Sequence, residues 1–188
     1  MVEDPFSLSD LEAMMKKGHG VEDLVKNAHW KDFEGIVSEI FSTNGFKTLR
    51  NFRFSSNKKR YEIDVIALER PYIIFADCKH WGLRIGKGSA LKAASLNQLR
   101  RAKELIKKLQ EFPQIDVGSW NEIKAIPLLV TLYEERICQN EGVLIVPIFR
   151  LNTFVEEMRS CYFDSISPNV VTLKNWIKSN DTGTNITP

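Results

Sequence analysis

Two charged residues interrupt an otherwise apolar segment, residues 72–81, and they are the first candidates for chemistry. Side chains alternate between the two faces of a strand, so Asp77 and Lys79 point the same way and lie within interacting distance. His80 then lies on the opposite face, where we expect it to pack or to contact phosphate rather than to catalyse. The alternative for Asp77 and Lys79 is a surface ion pair at a strand end, because exposed pairs are common and contribute little to stability.

A second acid, Asp64, stands between two apolar neighbours in the preceding segment, residues 61–68. Alternation predicts one face shared by Glu62, Asp64, Ile66 and Leu68. A buried carboxylate needs a partner or a metal, and two carboxylates repel each other unless a divalent cation lies between them. The sequence therefore predicts one site formed by Asp64, Asp77 and Lys79 across paired strands. A solvent-facing acid on an edge strand is the alternative for Asp64.

Two polar residues on predicted helices extend the candidate site. Glu34 lies at the border of the apolar stripe formed by Trp30, Val37 and Phe41. Gln98 lies within a stripe of leucine and alanine residues on the following long helix. Polar groups in such positions need partners. The alternatives are an ordinary border residue for Glu34 and a buried, satisfied amide for Gln98.

Basic residues concentrate in the half of the chain that holds these acids. They form three groups: Lys47, Arg50 and Arg53; Lys58, Lys59 and Arg60; and Arg84, Lys87, Lys92, Arg100 and Arg101. A charge run is commonly a solvated face, but their position beside the acids favours a track for a phosphate backbone. Aromatic residues are sparse among them, which favours duplex or branched DNA over single strands.

The pattern of apolar residues and turn residues predicts the elements that position these side chains. Helices are predicted over residues 9–17, 21–27, 30–43, 89–111 and 152–161, and strands over residues 46–54, 61–68, 72–81, 123–133 and 142–149. Residues 170–178 are ambiguous. Short loops predict an antiparallel meander for the first three strands, and the apolar last two strands are expected to be covered on both faces. This order predicts an α/β fold, with a mixed sheet of about five strands flanked by helices.

Composition is that of an ordinary globular protein. The chain has 188 residues, of which 43% are hydrophobic and 27% charged, and this balance excludes wholesale disorder. The formal net charge of +2 neither requires nor excludes a polyanionic partner. We expect one core domain over residues 30–161, an N-terminal helical extension over residues 1–29, and a C-terminal extension with a frayed tail over residues 162–188.

The cysteines and the termini bear on the compartment. Three cysteines with no C-x-x-C pair favour free thiols in a reducing compartment over a disulfide framework or a zinc site. The acidic start lacks the layout of a signal peptide, and no apolar stretch is long enough to span a membrane. A soluble cytoplasmic protein with no membrane partner and no nucleotide cofactor is the expectation.

Residues 30–104 resemble the PD-(D/E)XK nuclease superfamily, in particular its Mrr-type restriction endonucleases and archaeal Holliday-junction resolvases. The matching pieces, in order, are Phe33-Glu34, then Glu62-Ile63-Asp64-Val65-Ile66-Ala67, then Phe75-Ala76-Asp77-Cys78-Lys79-His80-Trp81. Gln98 matches a glutamine that Mrr-like members often place on the next helix. Two departures are Ile63, where the motif has proline, and Asp77, where Mrr-like members usually carry glutamate and the side chain reaches further.

The resemblance implies a restriction-endonuclease-like fold and a metal-dependent mechanism. Asp64, Asp77 and the backbone carbonyl of Cys78 are then expected to hold Mg²⁺ or Mn²⁺ through hard oxygen ligands. Lys79 is expected to orient or deprotonate the attacking water and to stabilise charge on the phosphate. Glu34 is expected to complete the outer shell of the metal or to bind a second ion.

The expected function is therefore metal-dependent endonucleolytic cleavage of DNA, of the Mrr-like restriction type or directed at a DNA structure. Two alternatives stay open: a non-catalytic DNA-binding or assembly module that keeps the fold, and a Holliday-junction resolvase or repair exonuclease of the same fold. Members of the superfamily often act as dimers, so a homodimer formed through the later strands or residues 152–161 is a further expectation.

Overall fold

The computed structural model describes residues 30–82, 87–159 and 171–174, with side chains described over residues 33–82 and 87–159. The helices predicted at residues 9–17 and 21–27, the N-terminal extension and most of the C-terminal extension lie outside these ranges. Within them, no helix has the length and apolar character needed to cross a membrane.

Three helices and seven strands make up the described part of the chain. In order they are α1 (Trp30–Thr43), β1 (Lys47–Ser56), β2 (Lys59–Glu69), β3 (Tyr72–Lys79), α2 (Lys87–Ile106), β4 (Glu122–Thr131), β5 (Gln139–Asn140), β6 (Val143–Pro147), α3 (Leu151–Arg159) and β7 (Val171–Lys174). The helix predicted to run to residue 111 ends at Ile106, and its remainder is a separate 3₁₀ turn, Leu109–Glu111.

All seven strands belong to one mixed sheet in the order β1-β2-β3-β4-β6-β5, with β7 pairing beside β6 on the other half of β4. The first three strands form the predicted antiparallel meander, and β4 joins β3 and β6 in parallel. The α/β prediction and the five predicted strands are confirmed. The expected strand count was low because β5 and β7 are too short, at two and four residues, to give a clear apolar pattern.

Helices cover both faces of the sheet. One core, built by α1 and α3, includes Phe33, Val65, Ala67, Ile74 and Val155. The other core, built by α2 and the chain that follows it, includes Ile66, Leu68, Phe75, Leu105 and Trp120. The adjacent strand β4 is buried on both faces, as its apolar sequence predicted. The centre of the sheet is thus covered by apolar side chains on both sides, and any charged group there needs specific partners.

The regular alternation of side chains between the two faces of the sheet is interrupted at one point in both β1 and β2. Arg50 on β1 lies beside α1. Its guanidinium is 3.6 Å from the point where a Cβ atom on Gly35 would lie. Phe52, two residues later, belongs to the α2 core instead. Asn51 between them has a positive φ of 50°, a left-handed conformation that asparagine tolerates better than most residues.

Strand β2 follows the same change opposite Asn51. Its register stays continuous, with Arg50 paired to Val65 and Phe52 paired to Ile63. Val65 belongs to the α1 core and Ile63 to the α2 core, so the alternation breaks at Asp64. The prediction of one face shared by Glu62, Asp64, Ile66 and Leu68 is therefore wrong. Strict alternation does not hold across a residue with left-handed backbone.

This face change generates a prediction for Asn51. Asn51→Val places a β-branched residue in the left-handed region and should lower the free energy of unfolding by about 1–2 kcal/mol. Asn51→Gly is the matched control and should stay within about 0.5 kcal/mol of the parent, since glycine adopts positive φ without strain. Urea denaturation measures both. Equal stability of the valine and glycine variants would contradict the assigned backbone conformation.

Candidate active site

Asp64 lies where β2 and β3 separate. Their paired register ends at Val65 and Ala76, one step before Asp64 would pair with Asp77. In place of a strand partner, the backbone N–H of Cys78 donates a hydrogen bond of 2.7 Å to Oδ2 of Asp64. The carboxylate is therefore fixed between the two strands, beside the residues that β3 carries at its end.

Asp77 is the most enclosed charged group at this point, with 2% of its surface exposed. Its Oδ2 lies 2.5 Å from Nζ of Lys79, so the predicted proximity of these two residues is confirmed. Its Oδ1 accepts a hydrogen bond of 2.6 Å from the guanidinium of Arg101 on α2. Burial of Asp77 excludes the exposed surface pair as an explanation.

The sequence predicts Arg101 as one of the basic residues of a phosphate track and does not predict its contact with Asp77. Its sequence signal was its position three residues after Gln98, which returns it to nearly the same face of α2. Its side chain stays 30% exposed, so it connects buried Asp77 to solvent. Lys79 is 18% exposed and also lies 5.7 Å from the ring centre of Trp81.

Glu34 joins the acids from the opposite face of the sheet. Its side chain is buried, and Oε2 has no hydrogen-bond partner within the described structure. Burial, followed by the charges of Asp64, Glu62 and Asp77, raises the pKa of Glu34 to about 7 against the lowering effect of Arg50. A buried carboxylate oxygen without a partner is costly, and a proton or a cation beside it would lower that cost.

The pKa of Asp64 responds to the same cluster. Burial and the charge of Asp77 raise it to about 6, although the Cys78 N–H, Lys79 and Arg101 all act to lower it. Electrostatic coupling therefore links Glu34, Asp64 and Asp77. The three acids predicted from the sequence, which we call the acid cluster, are thus brought together.

Gln98 is fully buried, but it contacts the strand rather than the acids. Its Nε2 donates a 2.7 Å hydrogen bond to the backbone carbonyl of Phe75, two residues before Asp77. Its Oε1 has no partner in the described structure. This contact ties α2 to β3 and thereby fixes where Asp77 and Arg101 meet, so Gln98 is a positioning residue in this arrangement.

The two residues that flank Lys79 have different roles. Burial, followed by the charges of Asp64 and Asp77, raises the pKa of the Cys78 thiol well above its usual range, so the thiol stays neutral. Its backbone carbonyl is therefore the group that remains for a hard cation. His80 packs against Phe33 with ring centres 5.5 Å apart, which agrees with its predicted packing role.

The donor set fits a hard divalent ion, although one cation must first move. Over the described residues, no group of three or more His, Cys, Asp and Glu side chains is placed to hold a metal as it stands. Both oxygens of Asp77 contact cations, Lys79 and Arg101. The unpartnered oxygen of Glu34 and the mutual repulsion of the acids are both features that a divalent ion would relieve.

A basic cleft of about 800 Å³ adjoins the acids between the β1–β2 hairpin and α2. We call it the hairpin cleft, and its lining residues are Arg53, Phe54, Ser55, Lys59, Arg60, Tyr61, Glu62, Asn97, Arg100 and Arg101. Arg101 lines the cleft and also contacts Asp77. Arg101 is therefore the residue that links the cleft to Asp77.

The third predicted basic group does not form one surface. Lys87 is buried, lies 2.5 Å from Glu135 and contacts the ring of Tyr133, so it has a structural partner rather than a place on a phosphate track. Arg84 lies outside the described residues. Arg100 and Arg101 line the hairpin cleft, as do Lys59 and Arg60 from the second group.

Comparison with known families identifies the class of this domain. Residues 29–130, more than half of the chain, match the family named NERD, nuclease-related domain. The matched residues include α1, the β1–β2–β3 meander and α2, and hence every residue of the acid cluster. The chain therefore belongs to the nuclease-related domain family, and that name specifies no substrate.

Individual relatives are distant. An uncharacterized protein of Archaeoglobus fulgidus is 28% identical over 129 residues, which cover 69% of this chain and 91% of the relative. The crystal structure of AF1548, a protein of unknown function, matches with 14% identity and a TM-score of 0.36 over 63% of this chain. The chain covers 57% of that protein's length. The small subunit of the heterodimeric restriction endonuclease R.BspD6I matches with 14% identity and a TM-score of 0.45, over 81% of this chain and 78% of the subunit.

The raised pKa values of Asp64 and Glu34 predict a loss of stability as pH rises towards neutrality. Both carboxyls keep their protons in the folded state up to about pH 6 and 7 respectively. The unfolded chain releases them near about pH 4. The free energy of unfolding should therefore fall between about pH 4 and pH 7. Glu34→Gln should reduce that fall and add about 1–2 kcal/mol at about pH 8.

Denaturation in chelator across this pH range measures the effect of Glu34→Gln. Glu39→Gln, on the same helix but outside the acid cluster, is the matched control and should keep the parent profile. A Glu34→Gln profile identical to that of the parent would contradict the coupling between Glu34 and the other acids.

Proposed function

We propose that this chain is a divalent-metal-dependent deoxyribonuclease that hydrolyses phosphodiester bonds internally in DNA. The observation that carries the proposal is the convergence of Glu34, Asp64, Asp77 and Lys79 where β2 and β3 separate, with the basic cleft opening beside them. Membership of the nuclease-related domain family supports the same reaction class.

Hard oxygen donors of this chain would hold the ion. Asp64, Asp77 and the backbone carbonyl of Cys78 would bind Mg²⁺ or Mn²⁺, with Glu34 beside them in its outer shell or at a second ion. When bound, the ion supplies Lewis-acid polarisation of the phosphate and lowers the pKa of water. Asp77 is one methylene shorter than glutamate, so its reach depends on how closely β3 approaches Asp64.

The two cations beside Asp77, Lys79 and Arg101, would have different roles. Lys79 is held beside Asp77 at 2.5 Å and would orient the attacking water and stabilise charge on the phosphate. Arg101 extends from Asp77 into the hairpin cleft and would bind a phosphate oxygen. Gln98 would keep β3 and α2 in register so that these groups meet.

Three narrower possibilities share this site. An Mrr-like restriction activity, a Holliday-junction resolvase and a repair exonuclease differ in the DNA that they cut, and product analysis on linear, nicked, methylated and four-way-junction DNA separates them. A non-catalytic DNA-binding or assembly module would lack turnover on all of these substrates. A homodimer would suit cutting of both strands of a duplex.

Conservative substitutions test the assigned roles. Asp64→Asn and Lys79→Met should each lower Mg²⁺-dependent cleavage of plasmid DNA by at least about a hundredfold, because each removes a group that acts on the reacting atoms. Asp116→Asn, at an exposed aspartate after α2, is the matched control and should cleave as the parent does. Full Mg²⁺-dependent cleavage by Asp64→Asn would rule out the assigned site.

Arg101 generates a prediction about metal affinity. Arg101→Gln removes a cation that competes for Oδ1 of Asp77, so Mn²⁺ should bind severalfold more tightly without DNA. Arg100→Gln removes a neighbouring exposed charge that has no contact with Asp77, and it should leave the affinity near that of the parent. Calorimetric titration measures both, with Asp64→Asn to locate the binding. Absence of Mn²⁺ binding in the parent and in Arg101→Gln would favour the non-catalytic alternative.

A further inference from the structure

Positive charge is concentrated in the hairpin cleft far beyond the balance of the whole chain. Five cationic side chains line it, whereas its one carboxylate, Glu62, already pairs with Arg53 at 2.9 Å. Lys59, Arg60 and Arg100 are all exposed. The whole chain carries a formal charge of only +2, so this cleft is a local anion-binding surface.

An aromatic pair forms part of the cleft wall. Tyr61 and Phe54 are cross-strand partners of the hairpin, and their rings stack with centres 5.2 Å apart and planes within 18°. Phe54 is buried and backs the tyrosine ring. The ammonium of exposed Lys59 lies 5.6 Å from the ring centre of Tyr61. Because the lysine side chain is flexible, its ammonium can move aside when a planar ring stacks on Tyr61. The positive charge then remains beside that ring.

The size of the cleft limits what enters it. At about 800 Å³ it falls in the range of pockets that enclose ligands of small-molecule size, roughly 300–1,000 Å³. One or two nucleotides of an unpaired strand suit that space, whereas a duplex presents paired bases that cannot reach a side wall. The combination of basic groups with an aromatic platform is the one that single-stranded nucleic acid uses.

One residue of the cleft also contacts the acids. Arg101 lines it and contacts Oδ1 of Asp77 at 2.6 Å, so a phosphate bound by Arg101 lies next to the acid cluster. Asn97, one helical turn earlier on α2, also lines the cleft and presents an amide suited to a base edge or a sugar hydroxyl. A strand in the cleft therefore approaches Asp77.

We propose that the hairpin cleft binds an unpaired strand of nucleic acid, with one base stacked on Tyr61 and its phosphates on Arg60, Arg100 and Arg101. The inference rests on the proposed nuclease function and narrows its substrate to branched or tailed DNA with an accessible single strand. It changes the expectation from the sequence, in which aromatic residues looked too sparse among the basic groups. The cross-strand pairing of Phe54 with Tyr61 supplies the platform that the linear sequence did not reveal.

Fluorescence anisotropy in chelator tests the inference, using a labelled thymidine oligomer, a blunt duplex, and the same duplex with a single-stranded thymidine tail. The parent should bind the oligomer and the tailed duplex more tightly than the blunt duplex. Tyr61→Ala should weaken binding of the oligomer and the tailed duplex by about tenfold, the usual loss for one stacked base, and leave the blunt duplex unchanged. Tyr61→Phe should retain binding, because the stacking face is kept.

Charge variants supply a second measurement in case Tyr61→Ala does not fold. Arg60→Gln should lower the salt dependence of oligomer binding by about one unit of slope. Lys92→Gln, an exposed cation on α2 outside the cleft, is the matched control and should leave that slope unchanged. Circular dichroism melting checks the folding of each variant.

Equal binding of blunt and tailed duplexes by the parent, or equal losses for both in Tyr61→Ala, would overturn the inference. Because binding is measured without metal, failure of the proposed nuclease activity is a separate result. Selective binding of tailed DNA without any cleavage would support the proposed binding in the cleft and contradict the proposed nuclease activity. Cleavage without any preference for unpaired strands would support the proposed nuclease activity and contradict the proposed binding in the cleft.

Discussion

The hydrogen bond from the Cys78 N–H to Asp64 sets the arrangement of the whole site. It replaces a strand pairing where β2 and β3 separate, so a carboxylate rather than a backbone carbonyl occupies the gap. Asp77 then lies next to a second acid and is balanced by Lys79 and Arg101. Glu34 arrives from the other face with one oxygen unpartnered. Like charges are brought together at a cost in stability, which is common where function requires them.

The surrounding fold explains how the protein tolerates the loss of stability caused by these like charges. Both faces of the central sheet are covered, and the large apolar cores on either side fix β2 and β3 independently of the acids. The face change at Asn51 and Asp64 places β1 and β2 between the two cores, so that acids on α1, β2 and β3 meet at one opening. Arg101 links this opening to the hairpin cleft, and the same residue that balances Asp77 is therefore available to a phosphate.

Strand alternation was sufficient to predict the contact between Asp77 and Lys79, because both lie on one regular strand. It was insufficient for Asp64, since one left-handed residue on the neighbouring strand changes the faces of both. Arg101 depends on the rotation of α2 against the sheet, and the pairing of Phe54 with Tyr61 depends on register. Both are tertiary properties that local patterns do not encode. Gln98 was recognised as buried, and only the structure gives its partner, the carbonyl of Phe75.

We propose that the acids between β2 and β3 form a divalent-metal site. A crystal grown with Mn²⁺ and examined by anomalous scattering tests it most directly. We expect a peak in contact with Asp64, Asp77 and the carbonyl of Cys78, with Arg101 moved away from Asp77. A crystal with no peak at these groups, in which Lys79 and Arg101 still hold both oxygens of Asp77, would contradict it.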